Sequence, residues 1–369
     1  MELYLHIGTE KTGTSSVQNF LAANRARLAH MGILYPETPG AKNHTGLAAA
    51  AQDVSDTGPL RKTLGLQNQN DVEAYRAKLI EGLKEEYRGG AFKTVIMSNE
   101  HCSSRLLREE EVHWLKDILA PHFEKIRIVV YLRRQDDYLL SIYSTAVKSG
   151  SVRPLEVPPL RSAAVRYDYW PFLSRWARVF GRDAIVCRKF ERATLKNGDV
   201  IDDLLSLIGV EADSAFERPG EANESLDAET LEFLRMFNAH VSRFAGNRLN
   251  PIRANIVGLL SAISSGPLVT LEEEQLRGFM GMFEESNRKV ALEYFGGVRE
   301  APGDPLFDSR SDTRERTAPV TLSVERAVEI AAHLWQEKQS QVERVKGRDR
   351  RQGHRKDRGA AATRKRIEL

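Results

Sequence analysis

One pattern limits this chain more than any other. A strand-like run, Leu3-Tyr4-Leu5-His6-Ile7, opens onto a loop bounded by Gly8 and Gly13, and a helical pattern follows. From Ser15 to Leu28, residues Val17, Phe20, Leu21 and Leu28 recur on one helical face. Further apolar runs read as strands: "GILYP", "FKTVIMSNE", "KIRIVVYLRR" and "AIVCRKFE". Between them, "VEAYRAKLIEGLKEEY", "EEEVHWLKDILAPHF" and "DDYLLSIYSTAVK" carry helical spacing. Strands that alternate with helices predict an α/β fold with a mostly parallel sheet. From about Leu204 the pattern turns helical, in "SLDAETLEFLRMFNAHV", "LEEEQLRGFMGMFEESNRKVALEYF" and "LSVERAVEIAAHLWQEKQSQVERV". Ser225 and Ser323 lie near the starts of two of these, and Arg310 to Pro319 reads as a polar linker. There is no internal repeat.

A strand feeding a glycine-bounded turn and a helix gathers backbone N–H groups and a positive helix end around one point, which suits an anion. The ATP-gripping form of such a loop is G-x-x-x-x-G-K-[ST], with lysine directly after the second glycine. Here Thr14 follows Gly13 and the lysine, Lys11, lies inside the loop. Candidate anion contacts are Gly8, Thr9, Lys11, Thr12, Gly13, Thr14, Ser15 and Ser16. A second anion segment is "VVYLRRQDDYLLSIYSTAVKSG". Its apolar strand ends in Arg133-Arg134, and Ser141 stands eight positions after Arg133. An arginine at a parallel strand's C-terminal end faces the crevice of an open α/β sheet and suits bidentate phosphate contact. Two anion pockets with a lysine between them suit an adenosine phosphorylated on both its 5′ and 3′ positions.

On these residues the chain resembles the PAPS-dependent sulfotransferase family, in its bacterial carbohydrate-acting branch. "GTEKTGTSS" is similar to the family's 5′-phosphosulfate loop, and "RRQDDYLLS" to its 3′-phosphate segment, whose Arg-to-Ser spacing of eight favours Arg133 over Arg134. Likeness continues through "YWPFLSRWARVFGRDAIVCRKFER", "NESLDAETLEFLRMFN" and "FEESNRKVALEYF", reaching about Phe307. The resemblance implies a P-loop-like three-layer fold with a helical C-terminal part. It implies PAPS as sulfuryl donor without a metal, and a hydroxyl acceptor on a sugar or glycoconjugate. It also gives Lys11 the role of stabilising charge on the leaving phosphate. Two positions depart from the family's habit: Thr12 follows the lysine, and Arg134-Gln135 replaces Asn-Pro after the 3′-site arginine.

Transfer to a hydroxyl needs a proton acceptor. Glu100, after the strand "TVIMSN", stands where glycan-type members carry a catalytic glutamate. His44 in "KNHTGLA" and the adjacent His101 are its rivals. Lys148 reads as a helix C-terminal lysine ahead of Gly150, and Trp170, Trp176, Phe180 and Trp335 as core. Two other functions stay open: an ATP-dependent P-loop-like kinase, and a nucleotide-binding protein without activity.

Composition sets the rest. No run of eighteen apolar residues suggests a membrane span, and a strand starting at residue 3 leaves no space for a secretory signal. Cys102 and Cys187 are too few for a disulfide framework. Together these lead to an expected cytoplasmic setting. The net charge of +3 divides unevenly: Arg344 to Leu369 holds eleven Lys/Arg against three Asp/Glu, so this tail carries +8 and the remainder −5. The tail reads as disordered and solvated, and anionic lipid heads at the inner membrane face or nucleic acid are the surfaces its charge could touch. No nucleic-acid-binding module is evident. The expected division is a sulfotransferase domain over 1–310 (PAPS-binding core 1–210, helical acceptor side 211–310), a helix over 320–345 and the basic tail over 346–369.

Overall fold

Alternate side chains of the central strands divide between two cores. Leu3, Leu5 and Ile7 join one with Val95, Met97, Ile128, Val130 and Leu132. Tyr4 joins the other with Ile96, Val129 and Tyr131. Strand side chains alternate across a sheet with period two, so a sheet apolar on both faces must be covered on both. In this computed structural model the strands are β1 (Glu2–Gly8), β2 (Ile33–Leu34), β3 (Thr94–Ser98), β4 (Lys125–Leu132) and β5 (Ile185–Lys189). Their order is β2-β3-β1-β4-β5, and every pairing is parallel. The fold is α/β with helices on both faces, as the alternating pattern predicts. The described residues are 1–56, 58–218, 220, 225–246, 248–298, 303–308, 314–318 and 321–340. The basic tail and much of the expected linker lie outside them.

One face carries α1 (Thr14–Ala23), α2 (Arg25–His30) and the helix Val200–Leu207. The other carries α3 (Thr45–Ala51) and the helices Gln69–Arg88, Glu109–Leu119, Tyr169–Phe180 and Glu284–Tyr294. Two expected helices are broken. The Ser15–Leu28 run breaks at Asn24, whose Nδ2 donates to the Phe20 and Glu217 carbonyls, both at 2.8 Å. Its Oδ1 accepts from the Glu217 N–H at 2.8 Å, so the amide serves a distant backbone segment. The long run from Leu271 breaks between Gly281 and Glu284, where Phe283 turns inward against Phe279 with ring centroids 5.3 Å apart. Trp176 is fully buried and stacks on Phe180, as expected of core, whereas Trp335 is 68% exposed. The reading of Trp335 as core is thereby corrected.

α3 has no polar face to give it a period, because every residue from Gly46 to Ala51 is buried. Its C-terminal carbonyls instead meet two guanidinium groups. Arg61, 1% exposed, donates to the carbonyls of Ala49, Gln52, Asp53 and Asp56. Arg76 donates to those of Ala50 and Gln52. Fixed donors thus satisfy a helix end that water cannot reach.

By contact density the described residues form two units. One draws on Met1–Ile142, Glu156–Asn223 and Glu273–Thr313, and it holds the five-stranded sheet. The second draws on Tyr143–Leu155, Glu224–Glu272 and the described residues from Arg314 on. Its core gathers Val147, Leu226, Leu231, Leu234, Ile256, Leu260 and Ile330. Asp227, not Ser225, caps its helix Ala228–His240, accepting from the Thr230 N–H at 2.8 Å. Lys148 does end its helix, and Gly150 beyond it takes the left-handed φ of 108°.

Candidate anion and transfer site

The loop after β1 is shaped by close approach. Gly8 has φ 90°, and a Cβ there would lie 3.0 Å from Glu100 Cβ and 3.1 Å from its Cα. Gly13, at φ 74°, would place a Cβ 2.8 Å from Val200 Cγ1. Both positions therefore combine a left-handed backbone with no space for a side chain. Lys11 also takes a left-handed φ, 67°, which is uncommon for a residue with a Cβ and marks a held conformation.

The hydroxyl residues divide into two groups. Thr9 donates from both its N–H (3.1 Å) and its Oγ1 (3.0 Å) to the Tyr131 carbonyl. Thr12, fully buried, donates from Oγ1 to the Thr9 carbonyl at 2.6 Å. These three protons hold the loop's own shape. Thr14, Ser15 and Ser16 begin α1, whose first turn has no side-chain cap. The unbonded N–H groups of such a turn present a positive end to an anion.

Arg133 comes to the loop from the end of β4, where its Nη1 donates to the Lys11 carbonyl at 2.8 Å. The Tyr169 hydroxyl bonds the Arg133 carbonyl, and the guanidinium lies over the Phe190 ring, 5.7 Å from its centroid. Arg134 turns elsewhere, its Nε pairing with buried Asp136 Oδ1 at 3.0 Å. Ser141 follows as the seventh residue of the helix Gln135–Lys148 and is partly buried. Lys11 is partly buried, and burial lowers the pKa of its ammonium. Glu10 and Glu100 pull the other way, while Arg133 adds to the lowering.

Glu100 occupies the turn after β3, at the cap position of the helix His101–Arg105. Its Oε2 accepts a 2.7 Å hydrogen bond from Gln18 Nε2, a contact not expected from the sequence. Behind Gln18 lie Ser98 Oγ at 3.3 Å and His6 Nδ1, itself 2.9 Å from Ser98 Oγ. The signal for Gln18 was there: it stands four residues after Thr14, on the helix face that carries the loop. His101 lies beside Glu10, with Nδ1 3.9 Å from Oε1. His44 is fully buried with both ring nitrogens engaged. Nδ1 accepts from the Ser98 N–H at 3.1 Å, and Nε2 lies 2.9 Å from the Pro36 carbonyl.

Burial depresses the pKa of both enclosed histidines, His6 to about 4 and His44 to about 3. Unfolding returns each to about 6.5. Between those values the unfolded chain binds more protons, so stability is full above about pH 6.5 and falls as pH drops. The slope is at most roughly 1.4 kcal/mol per pH unit for each ring. Melting temperatures measured from neutral pH down to about pH 5 should fall steadily. A flat profile would show that neither ring is kept neutral by burial.

No family model matches the chain. A protein of Archaeoglobus fulgidus, described only as uncharacterized, is 34% identical over 172 residues, which is 46% of this chain and 46% of that protein. The chain thus spans about half the length of the curated relative it matches. Among solved structures, a sulfotransferase from Alicyclobacillus acidocaldarius aligns at 20% identity and TM-score 0.36, covering 59% of this chain and 86% of that one. The sulfotransferase domain of the Synechococcus PCC 7002 olefin synthase aligns at 12% and TM-score 0.30, covering 76% and 94%.

Proposed function

We propose that this protein transfers a sulfuryl group from PAPS to a hydroxyl, with a carbohydrate or glycoconjugate as the acceptor class. One observation carries the reading. Lys11 is held inside the loop, its carbonyl bonded by Arg133 from one neighbouring strand, while Glu100 from the other interacts with its charge. A cation for the leaving group and a carboxylate for the incoming hydroxyl thus come from the ends of adjacent parallel strands, where such sheets bind ligands.

In this reading the α1 N-terminus, with Thr14, Ser15 and Ser16, receives the 5′-phosphosulfate, and Arg133 with Ser141 receives the 3′-phosphate. The acceptor oxygen attacks sulfur and forms the new S–O bond. The bridging S–O bond breaks, and its electron pair stays on the phosphate of adenosine 3′,5′-bisphosphate. Lys11 stabilises that charge. Glu100 takes the acceptor's proton. The carboxylate is the better base candidate because His44 already uses both nitrogens inside the protein.

The glycine spacing also favours a second reading, phosphoryl transfer from ATP, and a nucleotide-binding protein without activity is a third. Thermal denaturation separates the first two. Adenosine 3′,5′-bisphosphate without metal, at a hundredfold excess over Kd, should add about 2.7 kcal/mol of stability, and Mg-ATP none. The reverse pattern overturns the sulfotransferase reading. Labelled PAPS with a cell extract then tests for turnover and identifies the acceptor.

A further inference from the structure

Glu100 is held at both ends. At its base, the bare Gly8 backbone fits against Cβ and Cα, leaving no volume for a side chain between β1 and the Glu100 turn. At its tip, Gln18 Nε2 donates to Oε2 at 2.7 Å, and Oε1 has no hydrogen-bond partner among the described residues. Gln18 is itself only 4% exposed, on a helix that begins in the candidate anion loop. A carboxylate only accepts, so the nitrogen side of the Gln18 amide must face it. The same nitrogen lies 3.3 Å from Ser98 Oγ, so both of its protons have an acceptor. Ser98 is fixed in turn by His6 Nδ1 at 2.9 Å, and both are fully buried. Burial lowers the His6 pKa to about 4, which keeps the ring neutral and no second cation beneath the carboxylate.

A buried amide with both protons committed cannot rotate without orphaning one of them, and an orphaned buried donor costs about 1–3 kcal/mol. The Glu100 tip is thus tied to a rigid helix rather than to a solvent-exposed side chain. We infer that Gln18 is a positioning residue for the base: it claims one oxygen of Glu100 and leaves the other aimed at the acceptor hydroxyl. The Ser98–His6 pair keeps the amide in register. This inference rests on the transfer reaction proposed above and deepens it. It also links the two halves of the chemistry, because one helix supplies phosphate contacts at its first turn and base orientation one turn later.

The test is a double-mutant cycle on the full chain, with labelled PAPS and a fixed panel of free oligosaccharides, counting label passed to sugar or to water. Gln18→Leu should lower kcat by about 10²-fold, the cost of a misplaced reacting group. Its KM for PAPS and its affinity for adenosine 3′,5′-bisphosphate should be unchanged. In a Glu100→Gln background the same Gln18→Leu change should cost nothing further, since a positioning residue acts only through the group it positions. Gln18→Met serves as a second apolar replacement of similar volume, should Gln18→Leu fold poorly. Equal losses with and without Glu100, or a fall in kcat matched by lost bisphosphate affinity, would assign Gln18 a purely structural role and overturn the inference. Failure of the underlying reaction looks different: the unaltered chain then passes no label at all.

Discussion

Lys11→Ala is expected to lower sulfuryl transfer by about 10²–10³-fold, the cost of removing one preorganised donor from a developing negative charge. Binding of adenosine 3′,5′-bisphosphate should persist in the same variant. In the proposed reaction the bisphosphate lacks the breaking bond on which the lysine would act, and it would keep the α1 N-terminus and Arg133 as partners. Arg133→Ala should behave in the opposite sense, weakening bisphosphate affinity by about 1.5–3 kcal/mol for a lost charge-assisted contact. Calorimetric titration of both variants, beside single-turnover rates with PAPS, reads the two effects separately. Retained turnover in Lys11→Ala sinks the assignment. The Arg134 ion pair with buried Asp136 gives the comparison its control. If Arg134→Ala loses affinity and Arg133→Ala does not, the 3′-phosphate belongs to the second arginine.

Glu100→Gln carries the other large effect. Proton removal matters only when the acceptor attacks, so the variant should bind nucleotide normally and lose about 10²–10⁴ of its transfer rate. His44→Ala should follow another course. Its ring touches Tyr35 at 4.4 Å between centroids and bridges the Pro36 carbonyl and the Ser98 N–H. Removing it leaves a cavity and two unmet backbone groups, so melting temperature should fall first and rate only through loss of folded protein. Rates normalised to folded protein, beside melting curves, distinguish the two. Near-normal turnover in Glu100→Gln with collapse in His44→Ala would transfer the base role to the histidine.

The loop itself was legible early because its signals are local. Gly8, Lys11 and Gly13 lie within six positions of one another, and a strand run before them and a helical run after them fix their context. The same holds for β4 and its terminal Arg133, since an apolar run ending in arginine places the cation at a strand end without further information. The Asn24 break was not legible, because the amide's partner is Glu217, a residue 193 positions away. α3 escaped for a different reason: a short helix buried on every side has no hydrophobic period to detect.

By itself, then, the sequence determined the alternation that makes a parallel sheet, the glycine-bounded loop and the side chains with the right chemistry for two anions. Those are properties of spacing along the chain. Only the tertiary structure decided which of these side chains meet. Parallel pairing of β1 with both β3 and β4 brings Lys11 together with Arg133, 122 positions away, and Gln18 with Glu100, 82 positions away. It also committed the Thr9 hydroxyl to the Tyr131 carbonyl of β4 and the Thr12 hydroxyl to the Thr9 carbonyl, and it enclosed His44 with both ring nitrogens engaged. The physical reason is that a buried polar group must find a partner wherever the chain brings one. Residue type names what a side chain can donate or accept, and packing alone selects the atom that receives it.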